Sequence, residues 1–258
     1  LAVVTLPHYY ADPTVRDNYR GVAEYLHAVG NPAHDLVILD APGQAEVWRY
    51  YDPGLPTLGF PASRPAVDAD VEANLAQAVA GKRRIYALFW AEDEADPQRL
   101  VEGWLDRNTY KALDAWQGNL RLAVYATASD LQPVPMPPQD FGGGIVLAGQ
   151  AQPSGASGHV TQPGDVALVQ LRWQPTADVA QDYQVSVQLL DGRNQVIAQR
   201  DTAPVGGSRP TSTWRAGEQI DDNYALPIPF GTPPGSYRLV ATVYDPTTGE
   251  RLRLADGS

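Results

Sequence analysis

The stretch "DLVILDAPGQAEVWRYY", Asp35–Tyr51, carries the first decision about the fold. Leu36 to Leu39, between Asp35 and Asp40, is apolar at consecutive positions, the pattern of a strand buried on both faces, as parallel strands are. The run breaks at Ala41-Pro42-Gly43-Gln44. It resumes as an amphipathic segment with Ala45, Trp48 and Tyr51 on one helical side. A strand that turns directly into a helix is the repeating unit of an α/β domain. In open sheets of that kind, ligands sit outside the carboxyl ends of the strands, and Asp40 stands at such an end.

The same rhythm extends in both directions. "VRDNYRGVAEYLHAVG" places Val15, Tyr19, Val22, Leu26 and Val29 on one helical face and stops at Gly30. "PTLGFP" reads as a short strand, and Asp68 caps a helix carrying Val71, Leu75 and Val79. "RRIYALFWAE" is the strongest strand signal in the chain. Asp96-Pro97 is an N-cap followed by proline at the first helical position; it opens a helix with Leu100, Val101, Trp104 and Leu105. "LRLAVYAT" closes the segment as a strand. Residues 1–130 are therefore expected to form a Rossmann-like three-layer α/β domain around a mostly parallel sheet.

The composition then shifts. "DLQPVPMPPQDFGGG" holds four prolines and three glycines in fifteen residues, which reads as a semi-rigid spacer and sets a linker at 131–144. Residues 145–258 alternate with a period of two. The inward sets are Val169, Leu171 and Trp173; Tyr183, Val185, Val187 and Leu189; and Tyr237, Leu239, Ala241 and Val243. Asp191-Gly192 and "YDPTTGE" supply turns. No helix is predicted there, and the expectation is an immunoglobulin-like β-sandwich.

The chain has 258 residues and a net charge of −11. Residues 1–130 carry 11 basic and 18 acidic side chains and the rest carry 8 and 12. Neither part has the basic stripe that nucleic acid or anionic lipid requires; the short "GKRR" at Gly81–Arg84 precedes a strand and reads as a solvated turn. There is no cysteine, which excludes disulfides and thiolate chemistry and argues against cysteine-ligated zinc. No apolar run is long enough to span a membrane, so no direct membrane insertion is expected. The chain opens "LAVVTLPHYY" without Met, as a piece cut from a longer protein or a processed product would; a cut just after a membrane span would account for the apolar start.

Catalytic signatures are absent. There is no P-loop, and Gly142–Gly144 precedes a strand where a dinucleotide cradle would follow one. No serine lies in a G-x-S-x-G elbow. His8, His27, His34 and His159 show no metal-ligand spacing, and no cofactor is implied. The candidate binding residues are Asp40, Gln44, Trp90 and Glu92, at two strand ends expected to share a crevice, and Trp214, in a loop between Arg209 and Arg215. Carboxylates accept hydrogen bonds from sugar hydroxyls, and a ring face packs against sugar C–H groups. The plainer account is that the run "WAEDEADP" solvates a loop and caps a helix, and that Trp214 covers the open end of a sandwich core. Tyr9-Tyr10 and Tyr50-Tyr51 line a groove or pack helices.

Longer stretches carry a resemblance. "YRGVAEYL", "DLVILDAPGQAEVWRYY", "RIYALFWAEDEADPQRLVEGWLDRNTYKALDAWQGNLRLAVYA" and "VQLLDGRNQVIAQRDTAPVGGSRPTSTWRAGEQIDD" resemble the soluble C-terminal region of bacterial membrane glycosyltransferases of the dolichyl-phosphate-mannose–protein mannosyltransferase type. In that family catalysis belongs to the membrane part, where an acidic residue acts on a lipid-phosphate-linked sugar. Nothing in this chain matches that part, so no catalytic residue carries over. The resemblance implies an extracytoplasmic, non-catalytic accessory region. Its partners would be the membrane-embedded part of the same polypeptide and a glycan or protein acceptor. A stand-alone carbohydrate-binding module of the cell envelope and a hydrolase acting through Asp40 and Glu92 are the alternatives.

Overall fold

The computed structural model describes residues 17–61, 68–128, 130–153 and 165–254. The expected helix positions at Val15 and Asp68, and the candidates Tyr9, Tyr10, His8 and His159, lie outside the described residues or side chains. Two compact units divide the chain. One comprises 1–105 with 113–127, the other 106–112 with 128–258.

The first unit is built on a five-stranded sheet of order β2-β1-β3-β5-β4. The strands are β1 (Asp35–Leu39), β2 (Thr57–Gly59), β3 (Arg84–Phe89), β4 (Tyr110–Gln117) and β5 (Leu120–Ala126). The helices are α1 (Tyr19–Val29), α2 (Ala45–Tyr51), α3 (Asp68–Val79), α4 (Glu92–Ala95) and α5 (Leu100–Asn108). Asn18 caps α1 by accepting from Gly21 N–H at 3.0 Å. Tyr19, Val22 and Leu26 are buried on its inner face, while Val29 is exposed. Alternate residues of the strands feed two cores. Val37, Leu39, Tyr86, Leu88 and Leu122 meet α1 and Trp48 of α2 on one face. Ile38, Ile85, Ala87, Phe89, Ala123 and Tyr125 meet Leu75, Val101, Trp104 and Leu105 on the other.

The expected Rossmann-like, mostly parallel α/β domain is overturned. β1 runs parallel to β2 and β3, but β5 is antiparallel to β3, with Phe89 opposite Arg121. Across the chain strand outweighs helix, 38% to 22%, and antiparallel ladders dominate. The physical cause is a strand that the sequence pattern conceals. β4, "YKALDAWQ", lies between α5 and β5, so the chain reverses at Gly118-Asn119 and returns as β5 in the opposite direction. Gly118 holds φ of +68°, which glycine adopts without penalty. Burial on both faces made β3 and β5 look like parallel strands, yet burial does not encode direction.

The second unit has β-sandwich character. One sheet runs β12-β9-β8-β6 with β7 on β8, and the other runs β11-β10-β13. The strands are β6 (Leu131–Val134), β7 (Gln139–Asp140), β8 (Val146–Pro153), β9 (Val166–Trp173), β10 (Gln184–Leu190), β11 (Val196–Thr202), β12 (Ile220–Pro227) and β13 (Arg238–Tyr244). The proline-rich stretch 131–144 thus contributes two short strands, both antiparallel to β8. Val169, Leu171, Trp173, Val185, Val187, Leu189 and Val243 point into one buried cluster. Helical turns among the described residues of this unit are short 3-10 pieces at Val205–Gly207 and Thr211–Thr213.

Trp214 is corrected by this packing. It has no exposure, its ring lies 5.8 Å from that of Trp173, and its indole N–H donates to the Arg209 carbonyl at 3.2 Å. It closes the core and offers no face to a sugar. Trp214→Ala is expected to lower stability by about 3–5 kcal/mol in a denaturant titration; a loss below 1 kcal/mol would mean that the ring is not packed as described.

Candidate functional site

β1 and β3 end side by side, and the parallel ladder extends one residue further as Asp40 N–H donates to Leu88 O at 3.0 Å. Because strand side chains alternate, Asp40 shares its face with Ile38 and not with Leu39. That face is the one on which Arg121, opposite Phe89 in the β3–β5 register, lays its guanidinium 4.4 Å from the Phe89 ring centroid.

Arg121 organises the acids around it. Its two terminal nitrogens donate to Glu102 Oε1 and Oε2 at 2.8 and 2.7 Å, a bidentate fork. Nη2 also reaches Glu92 Oε1 at 2.7 Å and Nη1 reaches Asp114 Oδ2 at 3.2 Å. The Arg121, Glu92 and Glu102 side chains are 9%, 14% and 10% exposed. Burial works against the charge on Arg121, but the hydrogen bonds and attraction of Glu102 and Glu92 outweigh it and hold its pKa above the ordinary value. Arg99 lies 3.9 Å from Glu102 and is 67% exposed, so water screens that pair.

Asp40 lies beside this network with 1% exposure, and its Oδ1 has no hydrogen-bond partner. Burial, and then the negative charges of Asp96, Glu92 and Glu102, push its pKa up to about 9 against the pull of Arg121. Asp40 is therefore a neutral carboxylic acid at pH 7. Asp96 is equally buried. One of its oxygens accepts from Val101 N–H at 2.8 Å, which caps the start of α5, while Oδ1 has no partner.

The other candidates part from these acids. Gln44 is buried; its oxygen accepts from the Tyr19 hydroxyl and its amide donates to Leu88 O, both at 3.1 Å. It braces α1 against β3. Trp90 is half-buried against the Tyr19–Trp48 core. Gln44 and Trp90 thus belong to one face of the sheet, and Asp40 and Glu92 to the other. The sequence places all four near strand ends, but the pleat sets Trp90 and Asp40 on opposite faces, and the chain leaves the strand at Ala91, φ +51°, so that Glu92 opens α4 on the Arg121 side. Among the described residues no group of three or more His, Asp or Glu is arranged to hold a metal ion.

Two features escaped the sequence reading. Trp116, on the edge strand β4, is 65% exposed; the Gly118-Asn119 pair two residues on was the hairpin signal that would have found β4. The second is a cleft of about 790 Å³ in the sandwich unit, lined by Phe141, Leu147, Val169, Leu171, Leu239 and Leu252, with Arg251, Arg253 and Glu250 among its polar residues. Its walls come from strands far apart in sequence, so no local motif announces it.

No known protein family matches the chain, and no curated protein does. Among solved structures, a glycosyl hydrolase family 2 member from Bacteroides cellulosilyticus DSM 14838 is similar at a TM-score of 0.29 and 14% identity, over 60% of this chain and 18% of that one. This chain thus spans less than a fifth of that protein, and so low a score carries no argument.

Two variants probe the acid network. The Asp40 carboxyl keeps its proton in the folded state up to about pH 9, whereas the unfolded chain releases it near pH 4. The folded pKa is raised, so the stability this group contributes is complete below pH 4 and is lost as pH rises toward 9, by up to about 1.4 kcal/mol per unit. Asp40→Asn, neutral at every pH, is expected to gain stability relative to wild type between pH 6 and 8.5 in urea unfolding; an equal pH slope in both proteins refutes a neutral Asp40. Arg121→Met strands Glu92 and Glu102 without their cation and is expected to cost about 3–5 kcal/mol, read by the same unfolding.

Proposed function

We propose that this chain is a non-catalytic, extracytoplasmic accessory region of a membrane glycosyltransferase that uses a lipid-phosphate-linked sugar donor. Its role is to aid binding of a glycan or protein acceptor, and its partner is the membrane-embedded part of the same polypeptide. The extended resemblance supports the setting. One observation within the structure carries the non-catalytic part: Arg121 takes both Glu92 and Glu102, and the neutral Asp40 beside them is 1% exposed. An acid or base must come within hydrogen-bond reach of the group it serves; Glu92 and Glu102 are turned to Arg121 instead. Helices among the described residues are too short and polar to cross a membrane, so on this reading the span lies elsewhere in the polypeptide.

A stand-alone carbohydrate-binding module is the second reading, favoured by Trp116. An indole 65% exposed on an edge strand offers an apolar face to sugar C–H groups. The carboxylate hydrolase needs two acids flanking an open cleft, which the burial of Asp40 denies.

Both readings meet one experiment. The isolated chain is assayed for sugar transfer from a polyprenyl-phosphate donor, and wild type and Trp116→Ala are titrated with an oligosaccharide panel. The expected result is no transfer; robust turnover by the isolated chain overturns the accessory role. Saturable oligosaccharide binding that Trp116→Ala weakens about tenfold or more favours the module, and flat titrations remove it.

A further inference from the structure

The cleft of the sandwich unit is bounded on one side by a sheet edge that the described residues leave partly unpaired. β13 is the last strand of its sheet and pairs with β10 along its whole length. On its other side the chain turns back at Asp245–Gly249 and bridges Tyr244 to Arg251. Asp245 N–H donates to Glu250 O and Leu252 N–H donates to Val243 O, both at 2.9 Å. In an antiparallel ladder that pattern makes Tyr244–Arg251 a pair without mutual hydrogen bonds, and it points the backbone groups of Val243 outward. By alternation the N–H and C=O of Ala241 and Leu239 point outward too. The returning chain leaves the ladder after Leu252. Among the described residues no strand takes up the first half of that edge.

The void beside this edge is the cleft, bordered by 239–242 of β13 and by 249–254 of the returning chain. Leu147, Val169 and Leu171 of the facing sheet, buried in the core, form its apolar floor, and half-buried Met136 also lines it. Leu252 and Leu254 pack inward on the core, and Arg251 and Arg253, alternating with them, are exposed. Among the described residues no hydrogen bond or ion pair engages either guanidinium. In a chain of net charge −11, two free cations beside one acid, Glu250, make this rim locally positive.

We propose that the cleft receives an extended peptide in which apolar and acidic residues alternate, added as a strand to the open edge of β13. The outward N–H and C=O groups of Leu239 and Ala241 form its ladder, as in strand addition generally. The period of two sends its apolar side chains over Leu147, Val169 and Leu171. Its acidic residues meet Arg251 and Arg253. An open edge is otherwise a liability that proteins cover or blunt, and a specific occupant resolves it. This site does not depend on the transferase reading: it stands or falls on peptide binding alone.

The test uses the whole chain and a fluorescein-labelled synthetic heptapeptide alternating valine with glutamate. A lysine–valine peptide serves as the control. Saturable anisotropy is expected with the acidic peptide and not with the basic one, together with slowed amide exchange at Leu239 and Ala241. Ala241→Pro removes an outward N–H, which an edge strand tolerates, and is expected to weaken binding about tenfold or more. Arg251→Glu with Arg253→Glu reverses the rim charge and is expected to do the same with an unchanged melting temperature. If the proline variant fails to fold, the charge-reversed variant decides. Equal binding of the two peptides, equal binding by the variants, no binding, or self-association that buries β13 would each overturn the proposal.

Discussion

A single buried guanidinium holds the first unit's strand ends together. Taking a charge out of water costs several kcal/mol unless partners replace the lost hydration, and Arg121 finds its partners on three separate elements. Glu102 comes from α5, Glu92 from α4 and Asp114 from β4, while the guanidinium lies over the Phe89 ring of β3. One cation cannot neutralise all the acids gathered there. Burial, and then the negative charges around it, keep the proton on Asp40. Sheet order, helix placement and protonation state therefore depend on one another: move β5 out of its place beside β3 and the carboxylates of α4 and α5 lose their counter-charge.

The sandwich unit solves a similar problem without a cation. Asp222, wholly buried, accepts from Trp173 Nε1 at 3.1 Å, from the Tyr224 hydroxyl at 2.8 Å and from Val205 N–H at 2.7 Å. Burial pushes its pKa up to about 6, while those three donors hold it from going higher. Both units place a carboxylate inside the protein and satisfy it internally. Such groups define how elements meet, and their burial keeps them from a substrate. The surfaces available for recognition are of another kind: an exposed indole, an apolar cleft and a free sheet edge.

Much of the local structure was legible. The apolar faces of α1, α2 and α5 and the two-residue alternation of β9, β10 and β13 follow from side-chain periodicity, which is a property of the backbone geometry. The binding residues were legible only as positions. Asp40, Gln44, Trp90 and Glu92 do sit beyond strand ends, but one residue of offset moves a side chain to the opposite face, which separates Asp40 from Trp90, and the left-handed turn at Ala91 carries Glu92 away from it. Trp214 looked exposed because its neighbours are polar; its burial comes from Trp173, forty-one positions earlier in the chain.

What the sequence determined by itself was periodicity: where the chain is helical, where it is extended, and which side of each element is apolar. The direction of β5, the counter-ion of Glu92 and the open edge of β13 were decided only by the tertiary structure. Each depends on which element lies alongside, and hydrophobic pattern is blind to that choice because a strand buried on both faces satisfies it equally in either direction.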